Sequence, residues 1–398
     1  MSPFLPFSRV SAGGPAPAGL HGLYAASDGK TPATTPAGAS APASQPVRVN
    51  LKPYGAAGQT LELSPDGRYL CAWGWPGTKV GDYNKEPGDV AVFDVTGQPV
   101  PGALDGRRDL QGEYIEMFPA TAWRTHFAQF VKDAGGWGFR DDYGLAVRLV
   151  DPTPPIRPEA PQESAGRKWQ AELWRMKPKE ERLWRTELPE NFFRLETTAF
   201  LQREGKGYVF LGFGRAEGYL LSEEDGDLVA VVSYGHIETD AEAAAYKRKF
   251  HLGYSDGDVA LRFSSHQLAA DPGRRLLACG AFFGKRVRVV SLDPPYKTVF
   301  EAHADENPAR PWGGVWCVNR VQFAGGKYLI AELAFSGRFA RWRRVVEIFD
   351  VDAWKRVWLD QSGEISALTI WPDGNTMAYV RGGMLEIKPF RPTAQAQK

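Results

Sequence analysis

Few side chains in this sequence are spaced for chemistry. The six histidines are His21, His126, His236, His251, His266 and His303. None falls in a His-x-His or His-Glu-x-x-His spacing, so no local element aims two imidazoles at one metal ion. His236, His251, His266 and His303 would have to be gathered by tertiary folding, and the reading adopted is ordinary structural or exposed histidines, with no metal and no cofactor. Glu223-Glu224-Asp225 reads as a solvated turn rather than an acid–base pair. Walker A and dinucleotide fingerprints do not occur. Cys71, Cys279 and Cys317 each sit in an apolar strand-like run without Cys-x-x-Cys spacing, which predicts buried reduced thiols. No catalytic residue is assigned.

Binding chemistry is better represented. Ser336–Arg344 interleaves Arg338, Arg341, Arg343 and Arg344 with Phe339 and Trp342. Guanidinium groups pair with carboxylates and stack on rings, and both residue types are enriched in interfaces. The bland alternative is a solvated basic loop around one buried Trp. Pro311-Trp312-Gly313-Gly314 and Asp82-Tyr83-Asn84 are further aromatic loop tips. The candidate binding set is therefore Tyr83, His303, Trp312, Arg338, Arg341, Trp342 and Arg344. Net charge is +1, and no basic stripe continues beyond the one arginine-rich loop, so nucleic acid is not an expected partner. No apolar run approaches the ~18 residues of a membrane helix.

The elements that position these groups are short strands. Ile365–Phe390 reads as an apolar strand, a Pro-Asp-Gly turn, a second strand, a Gly-Gly turn and a third strand. Pro presets φ, Asp bonds its own backbone and Gly tolerates positive φ, so the turn chemistry is local. Thr60–Trp75 with Asp89–Val95 repeats the phrase, as do the stretches around 197–233, 264–301 and 317–359. A weaker copy takes His126–Val131 as its first strand, Asp133–Gly136 as its turn and one strand within Trp137–Val150. A single meander cannot bury both faces, so the copies must pack on one another. Six four-stranded meanders make an all-β fold, a β-propeller. The sixth copy lacks a fourth strand, and Val47–Leu51 belongs to no other copy. It is expected to complete that last sheet and close the ring, removing two unpaired edges. A seventh blade in 100–125 or 235–262 stays open.

Residues 1–45 are rich in Ala, Pro, Thr and Ser with few apolar anchors. They are expected to form a disordered tail or linker, with the propeller over 46–391 and a second tail at 392–398. Such a linker is compatible with a longer parent. A cytoplasmic location is slightly favoured, with an exported or membrane-tethered parent as the alternative. A capping box at Thr239–Glu242 predicts one inserted helix near 240–251.

The phrases TLELSPDGRYLCAWGW, DVAVFDV and VEIFDV resemble the Trp-Asp-repeat propeller family, and KTVFEAH resembles its fourth strand with a Gly-His ending. The resemblance covers roughly 46–391 and implies a closed ring of blades. Phe93-Asp94 and Phe349-Asp350 stand where the family carries Trp-Asp, and copies recur every ~50–70 residues rather than ~40–45.

The turns between strands one and two, and three and four, are short in every copy. The long insertions, 76–88, 101–124, 152–167, 235–262, 303–316 and 335–344, fall between strands two and three or between blades. All would rise from one face of the disc. The expected function is a non-catalytic binding or scaffold propeller that recognises a protein or peptide on that face, with oligomeric state open. The alternative is a lactonase-, lyase- or hydrolase-like propeller enzyme with a central-channel site.

Overall fold

The computed structural model describes residues 46–51, 60–63, 67, 69–73, 91–94, 97–98, 137–139, 144–150, 169–175, 179, 181–189, 195–213, 217–234, 265–281, 285–303, 315–337 and 340–392. They form six antiparallel sheets. The first holds β2 (Thr60–Leu63), β3 (Tyr69–Trp73) and β4 (Ala91–Asp94), counting Val47–Asn50 as β1. The second holds β5 (Trp137–Phe139), β6 (Leu145–Val150), β7 (Gln170–Arg175) and β8 (Glu181–Glu187). The third is β9 (Leu195–Arg203), β10 (Lys206–Phe213), β11 (Glu217–Ser222) and β12 (Leu228–Ser233). The fourth is β13 (Ser265–Asp271), β14 (Leu276–Ala281), β15 (Val287–Ser291) and β16 (Thr298–Ala302). The fifth is β17 (Val315–Ala324), β18 (Tyr328–Gly337), β19 (Ala340–Asp350) and β20 (Lys355–Asp360). The sixth is β21 (Ile365–Ile370), β22 (Thr376–Arg381) and β23 (Met384–Pro389).

The sixth sheet runs β1-β23-β22-β21. Val47 pairs with Ile387 and Asn50 with Met384, and Leu51 N–H donates to the Gly383 carbonyl at 3.0 Å. The strand expected to close the ring does so. One apolar cluster joins this sheet to the first, with Leu51, Leu385 and Ile387 against Leu61, Leu70 and Phe93. Further clusters join the second sheet to the third, the third to the fourth, the fourth to the fifth and the fifth to the sixth. First strands lie side by side, β9 by β13, β13 by β17 and β21 by β2, so they line the hub and fourth strands form the rim. This is a β-propeller. The two stretches that left a seventh blade open, the inserted helix and both predicted tails lie outside the described residues.

The turns explain why the strands stop where they do. Asp94 accepts the Gln98 N–H at 3.0 Å, and Asp350 accepts the N–H groups of Asp352 and Ala353 at 2.9 Å each. Ser222 and Ser291 occupy the corresponding ends of β11 and β15 and accept from Glu224 and Asp293. A short oxygen-bearing side chain at the end of the third strand thus satisfies the amides of the next turn.

Two expectations are corrected. Trp137–Val150 is not one strand but the hairpin β5–β6, pairing Trp137 with Arg148. Residues 140–143 between the two strands, like His126–Val131, lie outside the described residues. The stretch 335–344 is not a loop insertion either. It continues β18 and β19, with Phe335 paired to Arg343 and Gly337 to Ala340.

Candidate binding face

The antiparallel ladders send alternate connections to opposite ends of each sheet. Turns between first and second strands, and between third and fourth, meet one another at one end. Trp371 Nε1 donates to the Gly67 carbonyl at 2.9 Å, tying the sixth blade to the first. Gly325 N–H donates to the Ile370 carbonyl at 3.2 Å. Trp184 Nε1 donates to the Glu223 carbonyl at 2.8 Å, and Arg274 pairs with Asp352 at 3.6 Å. These contacts fix short backbone reversals against their neighbours, leaving little room for insertion. The long connections 74–90, 151–168, 235–264 and 304–314 all leave from the opposite end, since each follows a second or a fourth strand. The loops themselves lie outside the described residues.

Among the described residues the fifth blade reaches furthest at that end. In the third, fourth and sixth sheets the second strand ends at Phe213, Ala281 and Arg381. Strand registers place these opposite the same level as Leu333 of β18. β18 then continues through Ala334–Gly337, a further ~14 Å at ~3.4 Å per residue. Between Phe335↔Arg343 and Gly337↔Ala340 one residue of β18 opposes two of β19, Arg341 and Trp342. This is a β-bulge, a feature that bends a strand and re-aims it.

Below this hairpin the fifth blade carries two ionic clusters on opposite faces of its sheet. Towards the fourth blade, His303 Nε2 lies 2.6 Å from Glu347 Oε2, while Arg356 donates to Glu347 Oε1 at 2.7 Å. His303 has a positive φ of 59°, a sparsely populated backbone state for a non-glycine residue. Burial pushes the Glu347 carboxyl up, but the hydrogen bonds and charges of His303 and Arg356 outweigh it and hold the carboxyl below its ordinary value. Towards the sixth blade, Arg344 donates to the Ser366 carbonyl at 2.9 Å. The buried Glu332 pairs in register with Arg320. Its carboxyl is raised by burial, against the opposing pull of Arg320 and Arg344. Arg320 also reaches the Leu61 carbonyl of β2 at 3.1 Å, bridging inner strands across the hub. Beside these, Lys285 stands 4.8 Å over the Trp316 ring, and Arg381 lies 3.7 Å from Asp360 and 3.5 Å from Glu364.

The seven predicted residues separate accordingly. His303 and Arg344 belong to the two different clusters and are not brought together. Arg341 and Trp342 fall on the bulge of β19. Tyr83, Trp312 and Arg338 lie outside the described residues. Sequence reasoning missed Glu347 and Glu332. Their signal was present: an acid flanked by apolar residues inside VVEIF and another inside YLIAELAF, where a buried carboxylate must find partners. Lys285 over Trp316 left no pattern, because the two come from different blades. Among the described residues no group of His, Cys, Asp and Glu is arranged to hold a metal ion, and no helix is long and apolar enough to cross a membrane. Cys279 is a buried thiol and Cys317 a half-buried one, neither in a disulfide.

No family model matches the chain, and no curated protein matches its sequence. Among solved structures it is similar to the β-propeller domain of Cps50 (Swd1) from Myceliophteria thermophila, with 13% identity and a TM-score of 0.41, covering 83% of this chain and 81% of that one. The propeller architecture rests on the strand pairing above.

Proposed function

We propose that this chain is a non-catalytic binding propeller, a divergent relative of the Trp-Asp-repeat type, that recognises a protein or peptide segment with acidic side chains at its loop-bearing end. The observation that carries the reading is the asymmetry between the two ends. One is closed by turn-to-turn hydrogen bonds, while the other receives the long connections and the extended β18–β19 hairpin. Functional residues concentrate on loops held by a rigid scaffold, and a hairpin projecting past its neighbours presents backbone and side chains to a partner without disturbing the core. Arg341 and Trp342 of that hairpin are the proposed contacts, with Tyr83, Trp312 and Arg338 assigned to the same surface; His303 and Arg344 are held in the blade seams and support it from below.

The test is selection of displayed random peptides on the full-length chain, followed by titration of the selected peptides against Arg341→Ala and Trp342→Ala variants. The selected peptides should be acidic. The paired substitution should weaken binding by ~1–3 kcal/mol in total, the range of interface anchors, while the melting temperature stays put. Unfolding by Trp342→Ala together with full binding by Arg341→Ala would remove this hairpin as the recognition element.

A further inference from the structure

The described rim strands share a construction that the third blade breaks. In four sheets the fourth strand carries a one-residue bulge at an equivalent level, leaving Leu183, Val229, Val299 and Val357 as the extra residues. Leu183 and Val357 pack onto apolar clusters, whereas Val229 and Val299 are 44% and 43% exposed. One position inward, the third strand of the second, fourth, fifth and sixth sheets presents a charged residue to the rim, whereas the first sheet has Ala91 there. Glu172 stands opposite Arg185, Arg288 opposite Glu301, and Glu386 opposite Arg48. Glu347 at this level is held by Arg356. In the third blade the corresponding pair is Tyr219 and Val231.

The result is an edge unlike the other described edges. Leu228–Ser233 (LVAVVS) contains no charged residue, and Leu228, Val229 and Val231 are 45%, 44% and 46% exposed. Among the described residues no strand pairs with its outer edge. Natural edges are normally blunted by charge. The described alternatives are: β8 carries Glu181, Arg182, Arg185 and Glu187, β20 carries Lys355, Arg356 and Asp360, and β16 carries Glu301.

We propose that two copies of this chain associate edge to edge through β12, antiparallel about a two-fold axis, forming one continuous sheet across both propellers. The occupant follows from charge. A strand that lies along β12 without setting an ion against Val229 or Val231 must itself be uncharged and aliphatic over the same length, and β12 is such a strand. Orientation follows too. Glu223, Glu224, Asp225 and Asp227 precede the strand. Parallel pairing would bring the two acidic turns together, whereas antiparallel pairing sets them a strand length apart, ~20 Å at ~3.4 Å per residue. An isologous contact of this kind closes at a dimer. The patch is small, so the association is weak and concentration-dependent. Val299, on the rim of the next blade, extends it.

Sedimentation velocity of the full-length chain over a wide concentration range tests this. A monomer–dimer equilibrium is expected, and Val231→Lys should weaken it about tenfold or more with unchanged circular dichroism, since the side chain is exposed. A monomer at every concentration, including one in which β12 serves another protein's strand, overturns the proposal, as does a dimer indifferent to Val231→Lys. Should that variant fail to fold, hydrogen exchange of the unaltered chain decides. Protection of the 228–233 amides that rises with protein concentration supports the pairing, and protection that does not change rejects it. Peptide binding at the loop-bearing end is independent of Val231, so the two proposals fail separately.

Discussion

Glu347 ties the fifth blade to the fourth through an ionic cluster. Its carboxylate is almost fully buried, and it is kept charged by His303 and Arg356. Removing one member of such a cluster leaves the others with an uncompensated charge. Arg356 is 40% exposed, and solvent screening reduces its share. Glu347→Gln is expected to cost ~1–3 kcal/mol at neutral pH. The pH dependence has a definite sign. A carboxyl whose folded value lies below its unfolded value contributes stability that is fully present above about pH 4.3 and is lost as pH falls through the lower folded value. The gap between wild type and Glu347→Gln in urea melts should close as pH falls below about pH 4. A gap that widens over that range would contradict the assignment. At this scale the sequence was legible where a residue acts on its own turn, as Asp94 and Asp350 do. It was opaque where the partner comes from another blade: His303 is 44 residues from Glu347 in sequence, and nothing local announces their meeting.

The closing strand is the element that converts a row of sheets into a ring. Val47 and Val49 pack onto the cluster shared by the last and first sheets. Gly97, at φ +79°, lies where an added Cβ would stand 2.5 Å from Val47 Cγ1 and 3.2 Å from Val49 Cγ2. Gly205, at φ +77°, has nothing within 4 Å of such an atom. Alanine at either site is strained by the backbone alone. Gly97→Ala must in addition push the closing strand, and it should lower stability by ~1–3 kcal/mol more than Gly205→Ala. Equal losses would mean that the strand yields freely. Deleting residues 1–52 should have a larger consequence, exposing the free edges of β23 and leaving Leu61, Leu70 and Phe93 without part of their cover, so that the protein aggregates. A soluble truncation with an unchanged cooperative melt would contradict closure by β1. This strand was legible because its copy of the phrase was incomplete at the other end of the chain. The β5–β6 hairpin was not, because its turn lacks the Pro-Asp-Gly signature, and neither was the length of β18 and β19, because arginines and a bulge masked the alternation that marks a strand.

The whole molecule divides labour between two ends and a rim. One end is sewn together by turns, the other receives the long connections, and the described rim is ionic in the second, fourth, fifth and sixth blades and aliphatic along the third. The repeat was visible in the sequence because each turn carries its own chemistry, whereas the distribution of charge around the rim emerged only once strand registers aligned equivalent positions. Which end meets the partner is the central claim, and hydrogen exchange of the full-length chain with a peptide selected for binding tests it most directly. Protection should appear in β18 and β19 between Ala334 and Arg344, with the turns at 272–275, 325–327 and 371–375 unchanged. Protection of those turns, with the β18–β19 hairpin unaffected, would place recognition at the opposite end and contradict the account.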